Sequence, residues 1–456
     1  MIAFILAIII MILAISKYNI HPFLSILTVS VIFGIIGGIP LVKTGKVLGI
    51  ADVVSAGFAG TFNSIGIVII MGALVGALLE KTGAALKMAD CVVRLVGKNN
   101  TSLAVLIMGW IVSIPVFCDS GFVILNPIRK ALVRRTHASG VATAVAMSMG
   151  LYITHCFIPP TPGPIAAANT IYEGMQMDTN LILVIAMGAC ASILPMIAAY
   201  FYANYIGGKI KTKEEKTMEA GEAGEMTETY EELMKSYGEL PSAFMSFAPI
   251  IVPILLMALS SAMNMAGNKI PIVTFLGTPI IAISVGVLLG ILLFASRPME
   301  DKAKAFYELT NETLKVCGPI LFITAAGGVL GKVIASTNMV AFIKANSTTL
   351  AGLGIFFPFI LSAILKTAQG SSTVAITTTA GIMAPLMTTL GLGTPILAAV
   401  TVIAIGAGAM TVSHANDSYF WVVTNFGGMT PEKGYKTQTV ATLILGISSM
   451  FEIFIL

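Results

Sequence analysis

Between Thr136 and Tyr172 the chain carries no Asp, Glu, Lys or Arg, and in the middle of that run stands HCFIPPTPGP, from His155 to Pro164. Four prolines in six residues, with Thr161 and Gly163 between them, cannot continue a helix. An apolar segment is therefore interrupted where the chain should lie in lipid. Irregular backbone facing lipid leaves polar groups unpaired, at several kcal/mol each. Such a break persists only where protein packs around it or where it lines a wet cavity, so a binding site at membrane depth is expected here. The plainer reading is a loop at the membrane surface, which Pro and Gly also suit.

Composition supports the membrane reading. The 456 residues are 56% hydrophobic and 11% charged, against roughly 25% charged in soluble domains. The net charge, 26 − 22 = +4, gives no reason to expect nucleic acid. Cys91, Cys118, Cys156, Cys190 and Cys317 form no CxxC pair and are expected to be buried free thiols. There is no P-loop, GxSxG, HExxH or nucleotide fingerprint. No cofactor or metal is therefore expected, and ATP-driven transport has no support.

Taken in order, residues 1–16 read as a first membrane helix without the basic start and cleavage end of a signal peptide. Residues 18–42 and 57–79 read as two more spans, followed by a mixed-charge helix holding Lys87, Asp90, Arg94 and Lys98. Residues 103–117 are too short to cross a core about 30 Å thick. They lead through Cys118-Asp119-Ser120-Gly121 into a second short apolar arm, residues 122–128. This pattern predicts a re-entrant hairpin, the alternative being one span with Asp119 at its edge. Arg129, Lys130, Arg134 and Arg135 read as a positive-inside loop. Residues 181–206 form an uninterrupted uncharged span.

Residues 207–240 differ, with lysines at 209, 211, 213 and 216 and nine glutamates between Glu214 and Glu239. They read as a charged cytoplasmic linker dividing an N-terminal half, 1–206, from a C-terminal half, 241–456. In the second half, residues 242–268 and 270–296 are uncharged runs. Residues 298–315 read as an amphipathic surface helix, with an apolar segment at 316–331. Residues 345–365 end at Lys366, and residues 367–413 carry no formal charge, too many for one span. They are expected to hold a second hairpin tip at residues 369–373 and a span at 396–412. That span runs into His414-Ala415-Asn416-Asp417-Ser418. Residues 437–451 close the chain as a short span.

The halves echo each other. Gly76 and Gly331, Pro127 and Pro385, and Thr154-His155 and Ser413-His414 are paired at offsets of 255, 258 and 259 residues. Broken segments at matching places in two halves mark the binding site of many secondary transporters. Four segments are expected to meet: Asp119–Gly121, Thr154–Pro164, Gln369–Thr373 and His414–Ser418. Helix N-termini at hairpin tips offer unpaired N–H groups to an anion, and Ser120, Ser371, Ser372 and Thr373 add hydroxyls. This suits a carboxylate on a small polyhydroxylated solute. Asp119, Asp417, His155 and His414 are candidate proton carriers. The plainer roles are helix capping for each Asp and packing for each His. Lys366 reads either as a site cation or as a side chain snorkelling to the interface.

CDSGFVILNP (118–127), THCFIPPTPGPIAAA (154–168), AQGSSTVAITTTAGIMAP (368–385) and SHANDSYFW (413–421) resemble signature segments of the gluconate permease family, within the ion transporter superfamily. The resemblance runs over nearly the whole chain. It implies an inner-membrane, multi-pass symporter importing gluconate or a related sugar acid with protons. It also implies an all-α fold of two inverted repeats, each with a re-entrant hairpin and a broken helix, and a homodimer with elevator-like movement. On these segments the substrate residues are expected to be Ser120, Gly121, Asn126, Thr161, Gly163, Gly370, Ser371, Ser372, Thr373 and Asn416. Tyr419 stands in a stretch where many relatives differ and is expected to narrow the pocket. Other readings stay open: a carrier of the same fold for D-serine, glycerate or a dicarboxylate, sodium as coupling ion, a channel, or an intramembrane hydrolase using Ser120 or Ser372 with His155.

Overall fold

The computed structural model describes the chain except residues 1–5, 8, 12, 15–16, 19, 97–99, 115, 137, 213–238, 266–269, 299, 338–352 and 415–416. The expected first helix, the linker and the start of the 345–365 run thus fall partly or wholly outside the described residues. The rest is all-helical. Among the described residues six segments are long and apolar enough to cross a membrane, or seven if one bent pair counts as a single span.

In the first half α1 is Pro22–Ile36, α2 Ile50–Lys81, α3 Ala84–Val96, α4 Thr101–Val112 and α5 Cys118–Thr136. These are followed by α6 Gly140–Phe157, α7 Pro162–Gly174, α8 Leu181–Cys190 and α9 Ile193–Gly207. In the second half α10 is Ala243–Met265, α11 Pro271–Leu276, α12 Pro279–Ser296, α13 Lys302–Ser336 and α14 Phe356–Gln369. The chain closes with α15 Ser372–Met383, α16 Pro395–Met410, α17 Ser418–Phe426, the short α18 Pro431–Gly434 and α19 Val440–Ile455.

Several expected boundaries move. The span read over 18–42 is only α1, capped by the His21 side chain and followed by Gly37 and Gly38. Residues 298–315 and 316–331 are not two elements but the single helix α13, which Asp301 caps by accepting from the Lys304 N–H. Pro319 removes one backbone donor but does not break α13, because neighbouring helices hold a membrane helix straight across such a gap. The 181–206 run is broken at Ala191 and Ser192, where the Glu452 carboxylate accepts from the freed Leu194 N–H at 2.9 Å. Arg129 and Lys130 lie within α5 rather than in a loop, and Arg129 is buried. Of the five unpaired cysteines, Cys190 is exposed and Cys91 only partly covered.

The core is built from small residues. Every residue of α6 and of α15 is buried, as is α16 from Ala398 onward. Without a hydrophobic driving force between helices in lipid, close backbone approach supplies the packing. At Gly150 of α6 a Cβ would fall onto the Leu106 carbonyl oxygen of α4, and at Gly408 of α16 onto the Phe359 carbonyl oxygen of α14. One step along the same crossings, a Cβ on Gly109 would meet the Met147 carbonyl oxygen at 2.6 Å, and the Ser362 hydroxyl donates to the Ile405 carbonyl at 2.7 Å. The two halves thus build the same helix crossing at matching positions.

Candidate functional site

Both central helices stop short. α6 ends at Phe157, and the Pro159–Pro160 peptide that follows is cis. α16 ends at Met410, and residues 411–414 and 417 are not helical. The second break has its polar backbone satisfied by α19 and its approach: Thr442 Oγ1 accepts from the Ser413 N–H at 2.9 Å and Thr439 Oγ1 donates to the Ser413 carbonyl at 2.6 Å. This meets the demand that membrane-depth backbone be paired. Val412 sits at φ +58, a left-handed conformation that a β-branched residue rarely adopts and that costs about 1–3 kcal/mol.

Each break faces a helix–turn–helix pair. The turn between α4 and α5 brings Asp119 into the first turn of α5, and the Ser418 hydroxyl at the start of α17 donates to its Oδ1 at 3.2 Å. The turn between α14 and α15 is made by Gly370, at φ +83, and Ser371, whose side chain caps α15 by accepting from the Val374 N–H. Behind it Thr373 Oγ1 stands 3.5 Å from His155 Nε2. His155 is buried, and among the described residues its Nδ1 has no hydrogen-bond partner.

At the centre lies an ion pair. Lys366, fully buried, reaches Asp417 Oδ2 at 2.6 Å and donates to the Gly370 carbonyl at 2.7 Å. Asp417, 4% exposed, also accepts from Ser413 Oγ at 2.5 Å and from the Tyr419 N–H at 3.0 Å, which makes it the N-cap of α17. The snorkelling alternative for Lys366 is thereby overturned. The ammonium ties the α14–α15 turn to the break after α16. Of the two readings of Lys366 open in the sequence, a site cation or a snorkelling side chain, its burial in this pair fits the first.

The expected site residues divide. Asp119, His155, His414, Asp417, Gly370, Ser371, Ser372 and Thr373 all lie at the two breaks and the two turns. His414 Nε2 is 3.1 Å from the Thr367 carbonyl oxygen, next to Lys366. Ser120 is half-buried at the wall of a cavity of about 340 Å³ that also touches Phe117, Glu80, Lys81, Glu312 and Thr313. That cavity lies at the end of α2, near the turn where Leu240 packs on Gly83. Other residues serve the scaffold. Gly121 packs on Leu151, Gly163 packs on Ile376, and the Thr161 hydroxyl donates to the Ile158 carbonyl. The Asn126 carboxamide accepts from Arg129 Nε at 2.9 Å. Tyr419 points into the core, its hydroxyl donating to the Ser148 carbonyl and its ring 5.1 Å from that of Tyr152. Asn416 lies outside the described residues.

The chain resembles an uncharacterised permease of Haemophilus influenzae, 32% identical over 98% of this chain and 91% of that one. It also resembles a gluconate permease of Zymomonas mobilis, 28% identical over 97% and 94%. Its fold matches the solved structure of MtrF of Neisseria gonorrhoeae, described as one of a class of antimetabolite efflux pumps. There the TM-score is 0.65, with 15% identity over 97% of this chain and 96% of that one. The family description "GntP family permease" matches residues 1–456. This chain therefore belongs to the GntP family of permeases, multi-pass transporters of the cell membrane and not enzymes.

Proposed function

We propose that the chain is a secondary active transporter that imports gluconate or a related small sugar acid by proton symport. The observation that carries this reading is the convergence of Lys366, Asp417 and Asp119 with the hydroxyl-bearing Ser371–Thr373 turn at the meeting of two helix breaks. A buried cation and hydroxyls suit a hydroxylated carboxylate, and two acidic groups beside them suit a proton. The similarity to a gluconate permease supports the same substrate class.

In this reading the halves are inverted repeats. With the first helix expected from the sequence counted beside α1, α2, α6–α7 and α8–α9, the first half makes five crossings, an odd number, so the second half runs the opposite way. The pairs α4–α5 and α14–α15 are then re-entrant hairpins whose tips meet the broken helices from opposite faces. The 207–240 segment is cytoplasmic, as its juxtamembrane lysines favour, and the working unit is a homodimer.

The test is uptake of labelled gluconate by proteoliposomes holding the purified full chain, with the lumen more alkaline than the medium. Accumulation that a protonophore abolishes supports the reading. Accumulation of D-serine, glycerate or a dicarboxylate instead of gluconate, or accumulation driven only by sodium, overturns it.

A further inference from the structure

Lys366 holds more than a structural ion pair needs. A lysine ammonium has three donors. Two are used, on Asp417 Oδ2 and on the Gly370 carbonyl. Among the described residues the third has no acceptor, although the side chain is fully buried. Burying a charge is costly, and a spare buried donor adds to that cost. Asp417 accepts from Ser413, Tyr419 and Lys366, which fills most of the roughly four sites that a carboxylate offers. The spare donor stands where the α14–α15 turn meets the break after α16, beside His414, whose ring bonds the Thr367 carbonyl.

Resting on the transport reading above, we propose that Lys366 is the counter-ion of the substrate carboxylate and that Asp417 is its resting partner. With no substrate bound, the ammonium and the Asp417 carboxylate neutralise each other. When a proton binds the Asp417 carboxylate, the acid no longer compensates Lys366, and the ammonium takes the substrate carboxylate through its third donor. The charge sum is zero in both states: Lys⁺ with Asp⁻, or Lys⁺ with neutral Asp and one substrate carboxylate. One proton and one anion therefore cross together. On the far side the proton returns to water as the substrate leaves, and the Lys366–Asp417 pair closes again.

Among the described residues, the ionisable groups around Asp417 are Asp119 and Cys118 from α5, Tyr152, His155 and Cys156 from α6, His414 from the break itself, whose carbonyl accepts from the Asp417 N–H, and Tyr419 from the helix that Asp417 caps, with Lys366 from α14. Among these, Lys366 is the one cation bonded directly to Asp417. Asp119 is a second carboxylate at the same junction, joined to the start of α17 by the Ser418 hydroxyl.

The test measures equilibrium binding of labelled gluconate to the purified full-length protein between about pH 5 and pH 8. Wild type should bind more tightly as pH falls. Asp417→Asn, which mimics the protonated acid, should bind with little pH dependence. Lys366→Gln should bind about 10- to 100-fold more weakly at every pH, the range expected for one charge-assisted hydrogen bond. The double variant Lys366→Gln/Asp417→Asn has a neutral, hydrogen-bonding pair in place of the ion pair and guards against misfolding. It should bind as weakly as Lys366→Gln. If the double variant binds within about threefold of wild type, the lysine only balances Asp417 and the inference is overturned while the transport reading stands. If wild type binds no sugar acid at any pH, the transport reading fails and takes the inference with it.

Discussion

The Ser418 hydroxyl donates to Asp119 Oδ1 at 3.2 Å, joining the first residue of α17 to the first turn of α5 across 299 residues of sequence. This bond crosses between the halves: a helix start after the second break meets the turn of the first helix–turn–helix pair. Asp119 is the sequence neighbour of Ser120, which lines the 340 Å³ cavity, while Asp417 is buried among protein groups. Asp119→Asn is expected to slow uptake driven by a pH gradient on the order of tenfold, a barrier change of about 1.4 kcal/mol. Substrate exchange across vesicles without a gradient should fall much less. Equal loss in both assays would assign Asp119 to binding or to structure.

The central ion pair makes an opposite pair of demands on stability. Lys366→Met leaves the Asp417 carboxylate buried without its cation, which for a buried pair costs about 3–5 kcal/mol. The double variant Lys366→Met/Asp417→Leu removes both charges and should regain most of that loss. Thermal unfolding in detergent, read from the two single variants and the double one, measures the coupling. Additive losses would mean that the 2.6 Å contact contributes nothing of its own.

The repeated crossing of the core can be tested at its glycines. Gly150→Val places a side chain on the Leu106 carbonyl, and Gly408→Val does the same at Phe359. Each should destabilise by about 1–3 kcal/mol through overpacking, and by similar amounts if the two crossings are equivalent. Gly318→Ala in α13 is the control, since nothing stands within 4 Å of its Cβ position; it should be neutral or stabilising by up to about 1 kcal/mol. Unfolding midpoints of the three variants decide the matter.

Much of this architecture was legible in the sequence because membrane proteins leave few choices. The prolines at 159, 160, 162 and 164 could not be helical, and charge-free runs had to be spans, so both breaks and both turns were placed within a few residues. What the sequence concealed was orientation. Asn126, Thr161 and Gly163 sit in the right segments, but their contacts run to Arg129, Ile158 and Ile376, inside the scaffold. Periodicity could not separate these from their neighbours, because every face of a buried helix is apolar or small. Arg129 was misplaced for a related reason. A cluster of basic residues normally marks a loop, yet here the guanidinium is buried and donates to the Gly140 carbonyl at 2.9 Å. The strained backbone at Val412 had no sequence signal at all, since valine is the last residue expected at positive φ.

The cavity beside Ser120 sets the last expectation. Its wall includes Glu80, Lys81 and Glu312, and the adjoining turn at Gly83 is packed by Leu240, so its mouth should face the same side as the 207–240 segment. In a background with exposed Cys190 and partly covered Cys91 replaced by Ser, a Ser120→Cys variant should react with a membrane-impermeant maleimide from that side. Asn126→Cys, buried on the same helix, should not react. Sidedness is read in right-side-out and inverted vesicles, with a tag inserted near Glu222 marking the linker face. Saturating gluconate should protect the Ser120→Cys thiol if the cavity leads to the substrate. Labelling only from the opposite face would show that the cavity opens away from the linker, and would reverse the direction in which this conformation releases its cargo.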